Sequence, residues 1–452
     1  MNKKQLFRET DGVRGKANYA PLDTETVLRL GKSLSEYLKR KVEPNPNRGY
    51  KVIIGKDTRR SGYLLEQTLT AGFLSRGVDV ITVGPMPTPA ISHLVKSFAL
   101  DMGVMITASH NPYYDNGIKV FNANGHKLTD QEELEIESIY FENGFNGSEL
   151  IGRAQRIEDV SGRYIEYIKH AVGNTSLKGL TIVVDCANGA SYKTAPTVFQ
   201  ELGAKVIPIN VEPNGYNINV ECGSLYPDKV KDAVLKNKAD IGIALDGDAD
   251  RVIMIDEKGN EIDGNYITAL VAKHLKEIGE LNKNSVVITE YSNMALDLEL
   301  ESHGIKVLKV INGDRAITEL CRKQGLNFGG EFSGHFIFLD YSDTGDGTMT
   351  ALQVLKILKQ TGKKLSEIAY TFKKFPQKIF NFEVKEKLPL EELKTFQETI
   401  SNWKQKFDNK GRIFPRYSGT ENLLRIMIEA EDASLVDKAG KDLINAARVD
   451  LS

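Results

Sequence analysis

The chain predicts an α/β protein made of several mostly parallel sheets, and two observations carry that expectation. Short apolar runs rich in β-branched residues alternate with segments of helical period, and the pattern recurs along the chain. Lys51 to Asp57, Val78 to Val83 and Met102 to Thr107 form a first set of strands. Thr181 to Cys186, Lys205 to Asn210 and Asp240 to Leu245 form a second, and Ser285 to Thr289, Ile305 to Val310 and Asn327 to Gly330 a third. The last part differs: strands beginning at Phe380 to Val384 and Gly411 to Phe414 accompany helices over Leu390 to Phe407 and Ser434 to Ala447. A length of 452 residues suits about three or four domains, with joints near Ile157, Lys258 and Phe372.

Bulk properties narrow the function classes. A formal net charge of −2 gives no electrostatic case for nucleic acid or a membrane as partner, and Lys373-Lys374 and Lys404 to Lys406 read as solvated surface. Cys186, Cys222 and Cys321 are odd in number and far apart, which favours reduced thiols and a cytoplasmic setting over a disulfide framework. Met1 to Asp11 is polar and carries no secretory leader, and no apolar run approaches a membrane span.

Four segments carry the chemistry. In Thr107-Ala108-Ser109-His110-Asn111-Pro112, followed by Asp115-Asn116-Gly117-Ile118-Lys119, the apolar run Met102 to Ile106 reads as a buried strand. Asn111-Pro112 and Asn116-Gly117 read as turns, which puts Ser109 on a loop at the strand's carboxyl end. A serine hydroxyl is a weak nucleophile until a neighbour takes its proton or a cation stabilises its charge, and His110 and Lys119 are close in sequence. The competing view is a polar turn in which Ser109 bonds only to backbone.

The second segment, Asp246-Gly247-Asp248-Ala249-Asp250-Arg251, lies between two strand-like runs. Three carboxylates spaced two apart repel one another unless a cation sits among them, and an all-oxygen set suits a hard ion such as Mg2+ or Ca2+. An EF-hand is excluded, because Arg251 takes the position that needs glycine and the flanks are strands. Ala249 has a Cβ that penalises positive φ. The third segment, Gly329-Gly330-Glu331-Phe332-Ser333-Gly334-His335, suits a sugar: Glu331 accepts hydroxyl hydrogens, Ser333 donates and accepts, and His335 titrates near neutrality. The fourth, Arg416-Tyr417-Ser418-Gly419-Thr420-Glu421-Asn422-Leu423-Leu424-Arg425, supplies two guanidinium groups, two hydroxyls and a glycine, the makings of a phosphate cradle. No P-loop and no Gly-x-Gly-x-x-Gly opening a helix occurs.

In this order, with Thr10-Asp11-Gly12-Val13-Arg14-Gly15 near the amino terminus, the segments resemble those of the α-D-phosphohexomutase superfamily over essentially the whole chain. The contexts Gly313-Asp314-Arg315, Phe338-Leu339-Asp340-Tyr341 and Thr344-Gly345-Asp346-Gly347 resemble its branch that interconverts glucosamine 6-phosphate and glucosamine 1-phosphate toward UDP-N-acetylglucosamine.

The resemblance implies three successive α/β sandwich domains with mixed, mostly parallel sheets, 1–157, 158–258 and 259–372. A smaller α+β carboxyl-terminal domain, 373–452, would complete a central cleft to which each domain gives one motif. It implies a phosphoserine at Ser109 and Mg2+ held by Asp246, Asp248, Asp250 and a phosphoserine oxygen. Arg251 and Arg14 would be supporting cations, and Lys119, His335 and His110 would surround the reacting groups, the first two as candidates for proton transfer. Glu331 and Ser333 would bind the sugar, and Arg416, Ser418, Gly419, Thr420 and Arg425 its standing phosphate. A hexosamine or glucose 1,6-bisphosphate would serve as intermediate or activator. The partner expected is a small hexose phosphate, with self-association as a homodimer left open. Alternatives are a phosphomannomutase/phosphoglucomutase of the same superfamily, a metal-dependent phosphatase with an aspartate nucleophile in Asp246-Gly247-Asp248, and a non-catalytic sugar-phosphate sensor.

Overall fold

The computed structural model describes residues 6–7, 12–142, 144–145, 148–311, 313–418 and 422–451. These residues fall into two compact units, Met1–Tyr291 with Ile305–Tyr370, and Ser292–Gly304 with Thr371–Ser452.

The first unit holds three sheets. Strands β1 (Val13–Lys16), β2 (Lys51–Lys56), β3 (Asp79–Pro85), β4 (Met102–Ile106), β5 (Asp115–Asn122) and β6 (Ala154–Arg156) pair in the order β1-β5-β4-β2-β3-β6. The centre, β4-β2-β3-β6, is parallel, whereas β5 returns antiparallel to β4 and β1 to β5. The second sheet, β7 (Thr181–Asp185), β8 (Lys205–Ile209), β9 (Ile241–Leu245), β10 (Val252–Asp256) and β11 (Glu261–Ile262), repeats the scheme: β8-β7-β9 run parallel and β10 returns against β9. In the third, β12 (Ser285–Thr289), β13 (Lys306–Val310) and β14 (Phe328–Gly330) are parallel and β15 (Phe336–Phe338) returns against β14. Thus Ser109, the Asp246 to Asp250 loop and the Glu331 to His335 loop occupy equivalent places. Each caps a parallel strand at its carboxyl end, where the chain doubles back, the end at which open α/β sheets bind ligands.

Burial explains the strand compositions. Every residue of β4, β9 and β10 is buried, as expected for strands covered on both faces. The first core packs Val104, Ile106, Ile118 and Val120 of the sheet under Leu30 and Leu34 of the helix Thr24–Lys41 and Leu69 and Phe73 of the helix Ser61–Leu74. Local signals set the helix starts: Asp23 accepts from the Thr26 amide, and Thr129 and Glu132 form a capping box.

One expectation is corrected. Asn116-Gly117 is not a turn but the start of β5, paired with Gly15 and Arg14 of β1. Asn-Gly is a strong turn signal only when the chain is free to fold back, and here β1 and β4 hold it extended from both sides. Glycine is needed at 117 for another reason: a Cβ there would lie 2.5 Å from the Thr107 carbonyl oxygen and 3.0 Å from that of Val13. Lys119 therefore sits in mid-strand, opposite Met105.

The second unit is an antiparallel sheet, β16 (Gln377–Glu383), β17 (Gly411–Tyr417) and β18 (Leu423–Ala430), in the order β16-β18-β17, packed on helices Lys394–Phe407 and Ala433–Leu451 through Phe396, Ile400, Trp403, Phe407 and Leu443. The first of these helices starts at Lys394, and Leu390–Glu392 makes one 3-10 turn after Pro389 instead of the α-helix expected there. The helix Met294–Ser302 belongs to this unit: Glu429 accepts the Met294 amide at 2.8 Å, and Asn293 exchanges hydrogen bonds with the Phe375 backbone. No helix among the described residues is long and apolar enough to cross a membrane. The three cysteines are buried and unpaired.

Candidate active site

Ser109 is held in a strained, buried conformation. Its φ is 51°, its amide donates to Thr107 Oγ1 at 2.9 Å, and only 1% of it is exposed. Its carbonyl is gripped from two sides, by Arg59 Nη2 at 3.1 Å and Asn219 Nδ2 at 2.8 Å, and the same two groups hold the Asn111 carbonyl. Arg59 is itself fixed by an ion pair with Asp57. Neither Arg59 nor Asn219 stands in a pattern the sequence exposes. The one available hint was that Asp57-Thr58-Arg59 follows a buried strand at the end where loops carry function.

The Ser109 hydroxyl faces the carboxylate loop. Its Oγ donates to Asp246 Oδ2 at 2.6 Å, and His110 Nδ1 lies 3.4 Å away. The loop comes this close because residue 247 is glycine: a Cβ would meet the Ser109 carbonyl oxygen at 2.6 Å. Backbone bonds pin the loop, from Ala190 to the Gly247 carbonyl, from Thr88 to that of Asp248 and from Gly347 to that of Ala249. Ala249 takes the left-handed conformation its Cβ penalises, with φ 58°.

Among the described residues, Asp246, Asp248 and Asp250 form the group able to hold a metal ion, with one oxygen from each within 4.8 Å of the others. All three are buried. Lys119 Nζ bonds Asp248 Oδ2 at 2.9 Å and Asp250 Oδ2 at 3.0 Å, and Thr88 Oγ1 donates to Asp248 Oδ2 at 2.5 Å. The other oxygens, Asp248 Oδ1 and Asp250 Oδ1, are buried without a hydrogen-bond partner. A buried carboxylate oxygen with no donor is costly, and a hard divalent cation satisfies such oxygens, so these residues fit one. Electrostatics agree. Burial and the charges of Asp250 and Asp248 push the Asp246 carboxyl well above its ordinary range. Burial acts on Asp250 in the same sense, but Lys119, His335 and Arg251 outweigh it and hold that carboxyl below its range.

Two histidines of opposite character flank the cluster. Burial, followed by the charges of Arg251 and Arg14, pushes His110 down to about 4, so its ring is neutral near pH 7. Arg251 Nη1 lies 3.1 Å from His110 Nδ1, which makes that nitrogen an acceptor directed between Arg251 and Ser109. For His335, burial disfavours charge, but Asp314 and Asp250 outweigh it and raise the imidazole above its ordinary value. Its Nε2 is 3.2 Å from Asp314 Oδ2 and its Nδ1 3.8 Å from Asp250 Oδ1. A backbone bridge between Arg251 and His335 ties the Asp246 to Asp250 loop to the Glu331 to His335 loop. In the Glu331 to His335 loop, Ser333 Oγ donates to Glu331 Oε2 at 2.8 Å, and the Gly313 amide donates to Glu331 Oε1 at 3.1 Å. Phe332 is 44% exposed.

The structure thus brings Ser109, His110, Lys119, Asp246, Asp248, Asp250, Arg251 and His335 into one constellation, with Arg14 on β1 close enough to act on His110. Such a site can stabilise charge on a transferring phosphoryl group, since it couples a serine oxygen, a candidate divalent-cation site and fixed cations. In the second unit, Arg416 and Arg425 are directly paired residues of β17 and β18, so both guanidinium groups share one face, an arrangement an anion between them would stabilise. The Ser418 amide donates to the Leu423 carbonyl at 2.8 Å, and Lys387 Nζ donates to the Ser418 carbonyl at 2.7 Å. Gly419 and Thr420 lie outside the described residues.

Comparison with known proteins gives a consistent result. Models of the alpha/beta/alpha domains I, II and III of phosphoglucomutase/phosphomannomutase match residues 4–147, 162–259 and 263–375, and its C-terminal domain matches residues 380–446. The chain is 45% identical to a phosphoglucosamine mutase of Bdellovibrio bacteriovorus, covering 100% of both. A phosphoglucomutase/phosphomannomutase family protein from Burkholderia thailandensis superposes with a TM-score of 0.80 at 22% identity, over 98% of this chain and 97% of that one. An N-acetylphosphoglucosamine mutase of Aspergillus fumigatus, solved with GlcNAc-6P and magnesium, does so with a TM-score of 0.63 at 19% identity, over 94% and 99%.

Proposed function

The chain belongs to the phosphoglucomutase/phosphomannomutase family, and on that premise we propose that it interconverts glucosamine 6-phosphate and glucosamine 1-phosphate through a phosphoserine at Ser109 and a bisphosphorylated sugar. The observation that carries this is the 2.6 Å contact of Ser109 Oγ with Asp246 inside a cluster that also binds Lys119 and faces His335. Full-length likeness to phosphoglucosamine mutases supports the choice of sugar.

In the first half-reaction a sugar hydroxyl oxygen forms a bond to the phosphorus on Ser109, the bond from phosphorus to Oγ breaks, and the hydroxyl proton passes to a protein base. Lys119 and His335 are the candidates for that base, whereas neutral His110 lies beside Oγ and aligns with Arg251. Arg251 and Arg14 offset charge on the phosphoryl oxygens. Glu331 and Ser333 bind hydroxyls, and Arg416, Ser418, Gly419, Thr420 and Arg425 hold the phosphate already present. After the bisphosphate turns end over end, the same steps in reverse return a phosphoryl group to Ser109. Asp246, Asp248, Asp250 and a phosphoserine oxygen would hold Mg2+, which when bound supplies charge neutralisation. The magnesium in the Aspergillus fumigatus enzyme supports that assignment. Domain limits near Ile157, Lys258 and Phe372 and a cytoplasmic setting belong to the same proposal; the buried, unpaired cysteines agree with the latter.

One observation favours a second reading, a phosphomannomutase/phosphoglucomutase: Phe332, exposed between Glu331 and Ser333, offers no hydrogen bond to a substituent at C2. A pocket without a dedicated polar partner separates analogues only modestly. Intact mass before and after incubation with glucose 1,6-bisphosphate tests the phosphoserine, with one phosphoryl group expected on Ser109. Parallel kcat/KM values for the 1-phosphates of glucosamine, glucose, mannose and N-acetylglucosamine test the sugar. Glucosamine is expected first, with slower turnover of glucose, and a preference for glucose or mannose selects the second reading.

A further inference from the structure

The segment Gly313-Asp314 touches both ends of the sugar loop. At one end the Gly313 amide donates to Glu331 Oε1 at 3.1 Å, and at the other Asp314 Oδ2 lies 3.2 Å from His335 Nε2. Between them Ser333 Oγ donates to the remaining Glu331 oxygen, so the loop's polar groups are set by partners outside the loop as well as within it. Asp314 begins the helix Asp314–Gln324, where a carboxylate is favoured by the unsatisfied amides of the first turn. The same oxygen, Oδ2, also receives Lys127 Nζ at 2.5 Å, from the segment that follows β5. Across the imidazole, His335 Nδ1 faces Asp250 of the metal loop at 3.8 Å. One carboxylate therefore joins the first and third sandwiches and, through His335, reaches the second. Once Cγ is placed, an imidazole has one torsion left, and with a carboxylate on each side, Asp314 near Nε2 and Asp250 near Nδ1, charge attraction favours the rotation that turns one nitrogen to each, although Nε2 makes no aligned hydrogen bond.

We infer that Asp314 is a positioning residue: it orients His335 between the sugar and metal loops, while the Gly313 amide beside it holds the Glu331 carboxylate. This rests on the proposed reading of the sugar loop as the substrate site. Asp314 touches none of the reacting groups, so its contribution passes through His335. An outer partner that orients a functional histidine is worth roughly 10- to 100-fold in activity.

A double-mutant cycle in kcat and KM tests this, with Asp314→Asn, His335→Gln and the pair compared with the unmodified chain. Asp314→Asn is expected to lower kcat roughly 10- to 100-fold with a smaller change in KM, and the pair to be no slower than His335→Gln alone. If the two losses multiply, Asp314 does not act through His335 and the inference is overturned. Because Asp314→Asn also alters the carboxylate that Lys127 Nζ contacts at 2.5 Å, the cycle is repeated in a Lys127→Met background. Coupling that persists there supports the inference, and coupling that vanishes assigns the effect to Lys127 and overturns it. If the unmodified chain turns over no hexose phosphate at all, the proposed function is what fails.

Discussion

Lys119→Met removes a side chain that, among the described residues, is alone in bonding two of the three clustered carboxylates. Lys119 is 1% exposed, and its Nζ lies 2.9 Å from Asp248 and 3.0 Å from Asp250, which are themselves buried. Methionine replaces the stem at similar volume and leaves two carboxylates facing each other. Deleting one partner of a buried ion pair costs about 3–5 kcal/mol, because the remaining charge is stranded. A divalent cation relieves that stranding, so the deficit is expected mainly when metal is chelated. With about 2.1 cal/mol/K of unfolding entropy per residue, about 3–5 kcal/mol in a unit of this size corresponds to a fall in unfolding midpoint of roughly 4–7 °C. Thermal unfolding followed by circular dichroism, in excess EDTA and again in millimolar Mg2+, measures both numbers. The variant is expected to lose most stability in EDTA and to recover more on adding Mg2+ than the unmodified chain gains. A shift below about 1 kcal/mol in EDTA, or equal gains from Mg2+ in both proteins, would refute the argument that Lys119 compensates a cation site.

Four further outcomes are expected. Ser109→Ala should fold normally and bind sugar phosphate while losing nearly all turnover, and near-normal product formation would end the phosphoserine proposal. The phosphorylated chain should bind Mg2+ more tightly than the unmodified one, since phosphoserine adds about 1.5 to 2 negative charges at neutral pH; calorimetric titration giving equal affinities would mean the ion does not contact the phosphoryl group. Gly345→Ala should lower turnover without loss of Ser109 phosphorylation, because a Cβ at 345 would fall 1.9 Å from His335 Nε2 and must displace that ring; an unchanged kcat would show that the ring's placement is immaterial. Stability should fall as pH drops from about 6.5 toward 4. Burial, with Lys96 and Arg163 nearby, pushes His93, stacked on Tyr167, down to about 4 from an ordinary 6.5, so below 6.5 the unfolded chain takes up a proton that the folded one does not. After allowance for solvent screening the loss is on the order of 1 kcal/mol, and urea midpoints at pH 7 and pH 5 should differ less in His93→Gln than in the unmodified chain.

The α/β class, nearly all of the parallel strands and the four candidate loops are legible in the amino-acid sequence. These are local matters: a buried strand needs a continuous apolar run, and a loop that holds an ion or an anion needs several polar side chains within a few residues. Spacing alone led to Asp246, Asp248 and Asp250, and Ala249 does take the positive φ its neighbours impose. Which groups meet is settled only in the folded chain. Asn116-Gly117 looks like a turn until β1 and β4 enclose it, and Lys119, close to Ser109 in sequence, proves to bond the distant carboxylates instead. Asp246 as the partner of the Ser109 hydroxyl, Arg59 and Asn219 on its carbonyl, and Asp314 against His335 are single polar residues from separate segments. No periodicity marks such residues, because their partners come from other sheets and are chosen by packing, where each buried charge or carbonyl must find a counterpart that only the folded chain supplies.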